Sequence, residues 1–455
     1  MKNYGTKLAC LVVLALMTVF FSAAICQASG FAIYEWGSKG NALAGNMTGS
    51  TDAEVIAYNP AALATMDKFK SSAGVVFIAP RGTVSTKDIY SGKTTRTDED
   101  KMFHPIPHFY VGGPVWKNTG LSRLSFGLGV YSRFGLATRF DDNWPGRYNS
   151  ILADIVSLSA TPTLGIKIND AWSMSLGLEM MWFDLKLQQK IDATKFLAKA
   201  GKLPLLRAMG IPTTLNDPST SVLDTKQTLD GRGTGFGVIL GVQYKPTPRF
   251  ALSFTYRSQV TQNVDGTVEY DPSPTTRTLM PNNFYTTGVH GSITLPDSFT
   301  AGVMFKPVPK LTLGFTAVYT RWSSYDALTI HYDKPTLGVY STTSKKDWGD
   351  VWRFSFAVQW DALDWLDLYF SYIYDQSPVG GQYADYLLPT DDRNTLGIGA
   401  GIKFGKSWRL DANYTYLMQN DRTYDYNLQV TKGVLNGEAT DSIAHIFGVT
   451  LNYVF

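Results

Sequence analysis

The last nine residues alternate: Phe447, Val449, Leu451, Tyr453 and Phe455 are interleaved with Gly448, Thr450, Asn452 and Val454. A strand sends successive side chains to opposite faces, so one face of this segment is greasy and the other mostly small or polar. The same period of two recurs upstream. Trp408, Leu410, Ala412, Tyr414 and Tyr416 oppose Arg409, Asp411, Asn413 and Thr415, while Trp352, Phe354, Phe356, Val358 and Trp360 oppose Arg353, Ser355, Ala357 and Gln359. Phe250, Leu252, Phe254 and Tyr256 alternate with Ala251, Ser253, Thr255 and Arg257, and further runs cover residues 172–185, 298–306, 311–319 and 365–375. Charges on the second face need water and the first face suits hydrocarbon, which is the pattern of a membrane wall around a polar interior.

Counted from residue 69 onward, such segments number fourteen, beginning near residues 69, 107, 121, 151, 172, 231, 249, 297, 311, 351, 365, 393, 408 and 443. An even count is what a single-chain bacterial barrel requires. Short connections such as Asn169-Asp170, Lys245 to Arg249 and Gly405 to Ser407 alternate with much longer ones, the rhythm of periplasmic turns and outer loops. Trp172, Trp365 and Trp408 begin strands just after short turns and Trp360 ends one, which sets indoles at a water boundary where the N–H stays wet. A soluble sandwich or propeller needs no such girdle, and no blade repeat is present. The expected fold is all-β: a fourteen-stranded antiparallel transmembrane β-barrel, closed because lipid cannot satisfy a sheet edge.

Two segments stand outside the alternation. Residues 1–28 have Lys2 and Lys7, an apolar stretch from Leu8 to Phe21, and a small-residue exit at Cys26-Gln27-Ala28, the organisation of a cleaved signal peptide. Residues 29–68 are rich in Gly, Ala and Asn and carry Phe31, Ile33, Tyr34 and Trp36, too apolar for a solvated tail. Asn59 is suited to cap a helix, with Pro60 at its first position and Ala61 next. The expected division is a signal peptide over 1–28, a mostly helical plug (hatch) folded into the lumen over 29–68, and a barrel over 69–455.

Composition removes several function classes. Both cysteines, Cys10 and Cys26, lie in the leader, so no disulfide is expected in the mature chain. With the two leader lysines removed, its formal charge is 39 minus 38, or +1, which argues against nucleic-acid binding. Five histidines are present, but no Gly-x-Ser-x-Gly elbow, His-Glu-x-x-His pair or nucleotide loop accompanies them. No enzyme activity and no cofactor are expected; an outer-membrane lipase or acyltransferase is the alternative of another class. A general diffusion porin is a third reading, which a plug would disfavour.

In the longest outer-loop region, Phe196, Leu197, Leu203, Leu205, Leu206 and Met209 are interleaved with Lys195, Lys199, Lys202 and Arg207. That mixture suits an amphiphile or lipopolysaccharide phosphate, or else the leucines pack on a neighbouring loop. Arg257 and Arg353, on inward faces, are candidates to meet a carboxylate or to pair with acids inside the barrel.

Several short motifs resemble, in order and nearly end to end, the FadL/TodX family of outer-membrane transporters of long-chain fatty acids and other hydrophobic compounds. They are Ser29-Gly30-Phe31, Tyr58-Asn59-Pro60-Ala61-Ala62, Phe134-Gly135-Leu136-Ala137-Thr138, Tyr256-Arg257-Ser258, Tyr319-Thr320-Arg321-Trp322-Ser323, Asp375-Gln376-Ser377-Pro378-Val379 and Leu388-Pro389-Thr390-Asp391-Asp392-Arg393. The resemblance implies a Gram-negative outer-membrane monomer with a hatch carrying Asn59, Pro60 and Ala61. It also implies a ligand pocket above the hatch and lateral escape at a kinked third strand, where Gly127, Gly129 and Gly135 fall. Ligand contacts are expected at Phe31, Ile33, Tyr34 and Arg257 and in the outer-loop leucines. The cargo implied is a fatty acid, or an aromatic hydrocarbon or alkane. Phe455 resembles the terminal signal that delivers outer-membrane proteins to the barrel-assembly machinery.

Overall fold

The computed structural model describes residues 30–88, 91–115, 122–215, 221–425 and 433–455; the leader expected over 1–28 lies outside them. Fourteen wall strands are present. They are β1 (Lys70–Lys87), β2 (His104–Pro114), β3 (Leu124–Tyr131 and Gly135–Arg139), β4 (Leu152–Lys167), β5 (Trp172–Asp192), β6 (Asp224–Thr247) and β7 (Phe250–Arg257 and Val260–Pro272). After them come β8 (Thr287–Leu295 and Ser298–Val308), β9 (Leu311–Thr320), β10 (Val351–Leu363), β11 (Leu366–Asp375), β12 (Arg393–Phe404), β13 (Trp408–Gln419) and β14 (Asn436–Val454). Each pairs antiparallel with the next, and β14 returns to β1 from Lys70↔Val454 to Lys87↔Asn436, which closes the barrel. No helix among the described residues is long and apolar enough to cross a membrane.

The alternation in the sequence maps onto the two faces of the wall. On β5, Trp172, Met174, Leu176, Leu178 and Trp182 point outward and are exposed, whereas Ser173, Ser175, Glu179, Met181 and Phe183 point inward and are buried. Ten residues of tilted strand between the two tryptophans span about 25 Å, the height of an outer-membrane hydrocarbon layer. Beyond Trp182 the outward row turns charged, with Asp184 bonded to Arg232 of β6 at 2.9 Å. At the opposite boundary Trp172 packs on Tyr244 and Trp408 on Tyr453, both with ring centroids 4.6 Å apart. Asn169 makes the short turn there: its Oδ1 accepts from the N–H groups of Ala171 and Trp172 at 2.9 and 2.8 Å, the side-chain bonding that makes asparagine a turn residue.

The outer ends differ from the sequence expectation. β6 starts at Asp224 and β14 at Asn436, seven residues earlier in each case than the expected 231 and 443. Residues in these extensions rise above the hydrocarbon, where polar groups such as Lys186 and Asp230 replace the outward apolar row, while Leu229 and Ala439 are buried on the inner side; no lipid-facing row marks the extensions in the sequence. A hairpin of Ala327–Thr336 and Val339–Lys345 adds to the outer part of β8 through pairs such as Ser292↔Thr329. Glycines 231, 233, 235 and 237 share one face of β6, and the space they leave is taken by Val260, Asn263 and Val264 of β7, within 2.6–2.9 Å of where a Cβ would stand.

Residues 30–66 lie inside the barrel. Helical turns occupy Ser38–Ala42, Val55–Tyr58 and Pro60–Thr65, and the rest of the segment is irregular. Its polar groups bond right around the wall. The Ser38 N–H donates to Thr450 Oγ1 of β14 at 3.0 Å, Asn46 Nδ2 to Ser355 Oγ of β10 at 3.1 Å, and Asn59 Nδ2 to Gln243 Oε1 of β6 at 2.8 Å. The inner wall face is small and polar beside this segment and turns apolar above it, as the switch from Ser175 and Glu179 to Met181, Phe183 and Leu185 on β5 shows.

The band on β5 supplies a test of orientation. Leu176→Arg places a charge in mid-membrane and is expected to cost about 2–4 kcal/mol, read from denaturant unfolding in bilayers, whereas Asp184→Arg, in the charged zone, is expected to cost less than about 1 kcal/mol.

Candidate ligand site

The floor of the site is the inner segment, and its fit to the wall depends on missing side chains. A Cβ at Gly127 would stand 2.7 Å from Ile56 Cδ1, one at Gly129 3.0 Å from Ile56 Cγ2, and one at Gly241 3.1 Å from both Ala61 N and Pro60 Cγ. Gly127 and Gly129 lie in a continuously paired part of β3, opposite Gly112 and Tyr110 of β2. Placing these two at a wall opening is therefore corrected: they make room for Ile56. Asn59 is not a side-chain cap either; its amide is spent on Gln243, which anchors the Asn59-Pro60-Ala61 turn to β6.

Arg257 belongs to the same floor. Its Nη1 donates to the Tyr131 hydroxyl at 2.8 Å, its Nη2 to the Ala57 carbonyl, and its guanidinium lies 5.0 Å from the Trp36 ring centroid. At 3 % exposure it is committed to the segment and does not line the cavity, so the expectation that it meets a ligand is corrected. Lower still, Lys39 pairs with Asp52 at 2.5 Å, and Arg409 with Asp367 and Asp411 at 3.2 and 3.0 Å. Glu54 Oε2 accepts from the Gly40 N–H at 2.8 Å, and burial with Asp411 beside it pushes this carboxyl up to about 8.

Above the floor is a cavity of about 480 Å³. Phe31 and Ile33, two of the expected contacts, line it, with Ile106, Phe134, Leu388 and Ile446 among its apolar groups. Its polar side holds Glu35, Arg353, Asp375, Thr390, Arg393 and Gln419. Arg353 is paired with Asp375 at 3.5 Å and lies 4.4 Å from the Tyr34 ring centroid. Tyr34 itself bonds to Thr320 (3.2 Å) and stands behind the arginine. Arg393 donates to the Gly30 carbonyl at 3.3 Å and Thr390 Oγ1 at 3.0 Å, with no ion pair among the described residues. Like Arg81 of β1, which lines the same cavity with no ion pair among the described residues, it has capacity left for an anionic ligand. Nothing in strand alternation singles it out, because it opens β12 directly after two aspartates. Phe31 sits in an aromatic box whose ring centroids lie 4.8 Å (Trp322), 5.7 Å (Trp348), 5.8 Å (Tyr325) and 5.9 Å (Phe134) away. Gly30, at φ +59°, has no room for a Cβ against Trp322.

The cavity crosses the wall. β3 is interrupted at 132–134: its lower part pairs with β2 as far as Phe109↔Val130, and its upper part pairs only with β4, from Gly135↔Val156 to Arg139↔Leu152. Residues 104–108 of β2 thus face no ladder partner on β3, and the gap is closed above by a bond from the Asp100 N–H to the Arg139 carbonyl (2.9 Å). Ile155 and Ser157 point inward and Asp154 and Val156 outward on β4, yet all four line the same cavity. Apolar groups frame the outward side of the wall there: Phe103, just before β2, packs on Phe77 and Phe447 with ring centroids 4.9 and 5.2 Å apart, and Val156 of β4, which lines the cavity, is 57 % exposed. Gly135 sits in this frame, with Ile33 Cδ1 only 2.4 Å from where its Cβ would be.

The outer-loop residues lie elsewhere. Leu197 and Leu206, in the turns Thr194–Lys199 and Leu203–Ala208, are fully buried with Leu223, Leu279 and Met280, and Phe196 and Leu203 pack against them. For these four the neighbouring-loop alternative holds. Leu205 and Met209 remain exposed.

The sequence profile described as "Outer membrane protein transport protein (OMPP1/FadL/TodX)" matches residues 19–455. The chain belongs to this family. A long-chain fatty acid transport protein of Escherichia coli O157:H7 is 24% identical over 100% of this chain and 99% of its own length, and outer membrane protein P1 of Haemophilus influenzae is 21% identical over 96% and 97%. Among solved structures, a FadL homologue of Pseudomonas aeruginosa superposes with a TM-score of 0.79 at 21% identity, covering 93% of this chain and 99% of that one. The toluene transporter TodX of P. putida gives 0.66 at 14% identity over 92% and 98%. This FadL/TodX member is an outer-membrane protein of Gram-negative type.

The geometry of the floor yields a test. Arg257→Met keeps bulk but removes charged hydrogen bonds worth about 1.5–3 kcal/mol, so single-channel recording in planar bilayers is expected to show openings at least about tenfold more frequent than in the wild type. Unchanged conductance would mean that Arg257 does not hold the inner segment.

Proposed function

We propose that this chain is a passive transporter of hydrophobic amphiphiles across the outer membrane, long-chain fatty acids first among them. The observation that carries the reading is a cavity, apolar on one side and holding on the other an arginine, Arg393, without an ion pair among the described residues, that reaches both faces of the wall above a closed floor. Residues 29–68 act as the hatch. Leu205, Met209 and nearby Lys195, Lys199 and Arg207 collect cargo at the outer rim, the cavity takes the acyl chain, and Arg393 receives the carboxylate. Each CH₂ buried contributes roughly 0.8 kcal/mol, so a long chain supplies the affinity and the arginine the orientation. The frame of Phe77, Phe103, Phe447 and Val156 at the interruption of β3 then offers a sideways path into lipid without passing the floor. The relatives are named as transporters of fatty acids, which supports this reading over a lipase or acyltransferase.

A second cargo within the same family is favoured by one feature. The box of Phe134, Trp322, Tyr325 and Trp348 around Phe31 matches an aromatic ring, and edge-to-face ring contacts of this kind contribute about 0.5–1.5 kcal/mol each. Mass spectrometry of molecules retained by gently purified protein, followed by competition with labelled oleate, separates the two: saturable oleate binding supports the acyl reading, and preferential retention of aromatics transfers it to hydrocarbons.

Arg393→Gln is expected to weaken oleate binding about tenfold or more, the loss of a charge-assisted hydrogen bond, while oleyl alcohol binding changes little. Deleting residues 30–36 is expected to alter oleate affinity and uptake; unchanged values would remove this segment from the ligand path.

A further inference from the structure

A fatty carboxylate cannot enter hydrocarbon as an anion, because desolvating an ionised carboxylate is prohibitive and the group takes up a proton instead. The side chains at the wall interruption bear on that step. Glu99, in the loop between the Thr94–Asp98 strand and β2, lines the cavity together with His104 at the start of β2. Its main chain is fixed by the bond from its N–H to the Gly82 carbonyl at 2.9 Å, while its half-buried carboxyl makes no hydrogen bond or ion pair among the described residues. His104 Nε2 is buried and likewise has no hydrogen-bond partner. Two polar side chains in one cavity, each with unused hydrogen-bonding capacity beside an apolar exit, are costly unless something uses them.

We infer that Glu99 is the proton donor of the exit step: its carboxyl gives a proton to the fatty carboxylate as the cargo turns from Arg393 towards the interruption of β3, and His104 hydrogen-bonds the carboxyl in passage. The O–H bond of Glu99 breaks as that of the cargo forms, the cargo leaves neutral, and Glu99, now a carboxylate, takes its next proton from outside water. The inference rests on the acyl transport reading above. Charge logic favours the direction, because Arg393 holds the anion at one end of the cavity and a neutral acid meets it at the other. Burial alone acts on Glu99, raising it to about 7, so it is protonated below neutral pH and ionised above. The other titratable groups lining this cavity are Arg81 of β1, Asp154 of β4, and Glu35, Arg353, Asp375 and Arg393 on the far side. Asp154 and Arg139 act on His104 across the gap, and Tyr424 lies within electrostatic reach of Glu99.

The test is uptake of oleate and of oleyl alcohol by the full chain between pH 6 and 8.5, with Glu99→Gln reported as a ratio to wild type so that the cargo's own titration cancels. For oleate the ratio is expected near one tenth at pH 6, rising towards one by pH 8.5 as the wild-type carboxyl ionises. For the alcohol it stays above one half at every pH, and Glu99→Asp, which keeps the acid, recovers at least half of the oleate rate. An oleate ratio of one throughout, or an equal loss for both cargoes, overturns the inference. Wild-type protein that takes up neither cargo overturns the transport reading and this step with it.

Discussion

Hydrocarbon offers the backbone no hydrogen-bond partner, so every N–H and C=O of the wall must find one within the protein. Ladder closure from β1 round to β14 meets that demand nearly everywhere. At the interruption of β3, where the ladder to β2 stops, the inner segment takes over. The Ile33 N–H donates to the Arg133 carbonyl at 2.8 Å, the Gly135 N–H to the Phe31 carbonyl at 3.0 Å, and the Phe134 N–H to Ser157 Oγ at 2.9 Å. Ala32 and Phe134 form an isolated antiparallel bridge. Residues 31–33 therefore act as a short strand laid against the break from inside.

This arrangement ties three features together. The break opens the wall, the inner segment repairs the backbone at the break, and the same residues carry the Phe31 and Ile33 side chains that line the cavity. The Phe31 side chain in its aromatic box and the backbone bonds that satisfy residues 133–135 thus belong to one run of three residues. The floor below is held separately, by Arg257 on Ala57, by Asn59 on Gln243 and by the Lys39–Asp52 pair, and can stay shut while the upper bonds rearrange.

Buried charge follows the same division. Below the cavity several cations have an acid, as Arg133 has Glu179 at 2.5 Å and Arg409 has Asp367 and Asp411, and Arg257 is held instead by the Tyr131 hydroxyl and the Ala57 carbonyl, because a buried ion without partners is strongly destabilising. Around the cavity the pairing is incomplete: Arg393, Glu99 and His104 retain unused capacity. Where a protein tolerates that cost, a ligand is the economical explanation.

The sequence by itself determined the barrel, because lipid on one side and small or polar neighbours on the other impose a period of two that even Trp408 to Tyr416 or Phe447 to Phe455 displays alone. It located the strands well enough to count the fourteen of the wall. Strand ends above the membrane, as at Asp224 and Asn436, were invisible because no lipid lies against their outer face to impose the apolar row. The site was decided by tertiary structure. Arg257 and Arg353 are both inward arginines in the sequence, yet one grips the Ala57 carbonyl and the other lines the cavity. Gly127 and Gly135 are both glycines of β3, yet one makes room for Ile56 and the other stands at the break. Glu99 and His104 belong to no motif at all. Closure brings together side chains hundreds of residues apart, and which of them are left with an unsatisfied hydrogen bond depends on neighbours that no local pattern records.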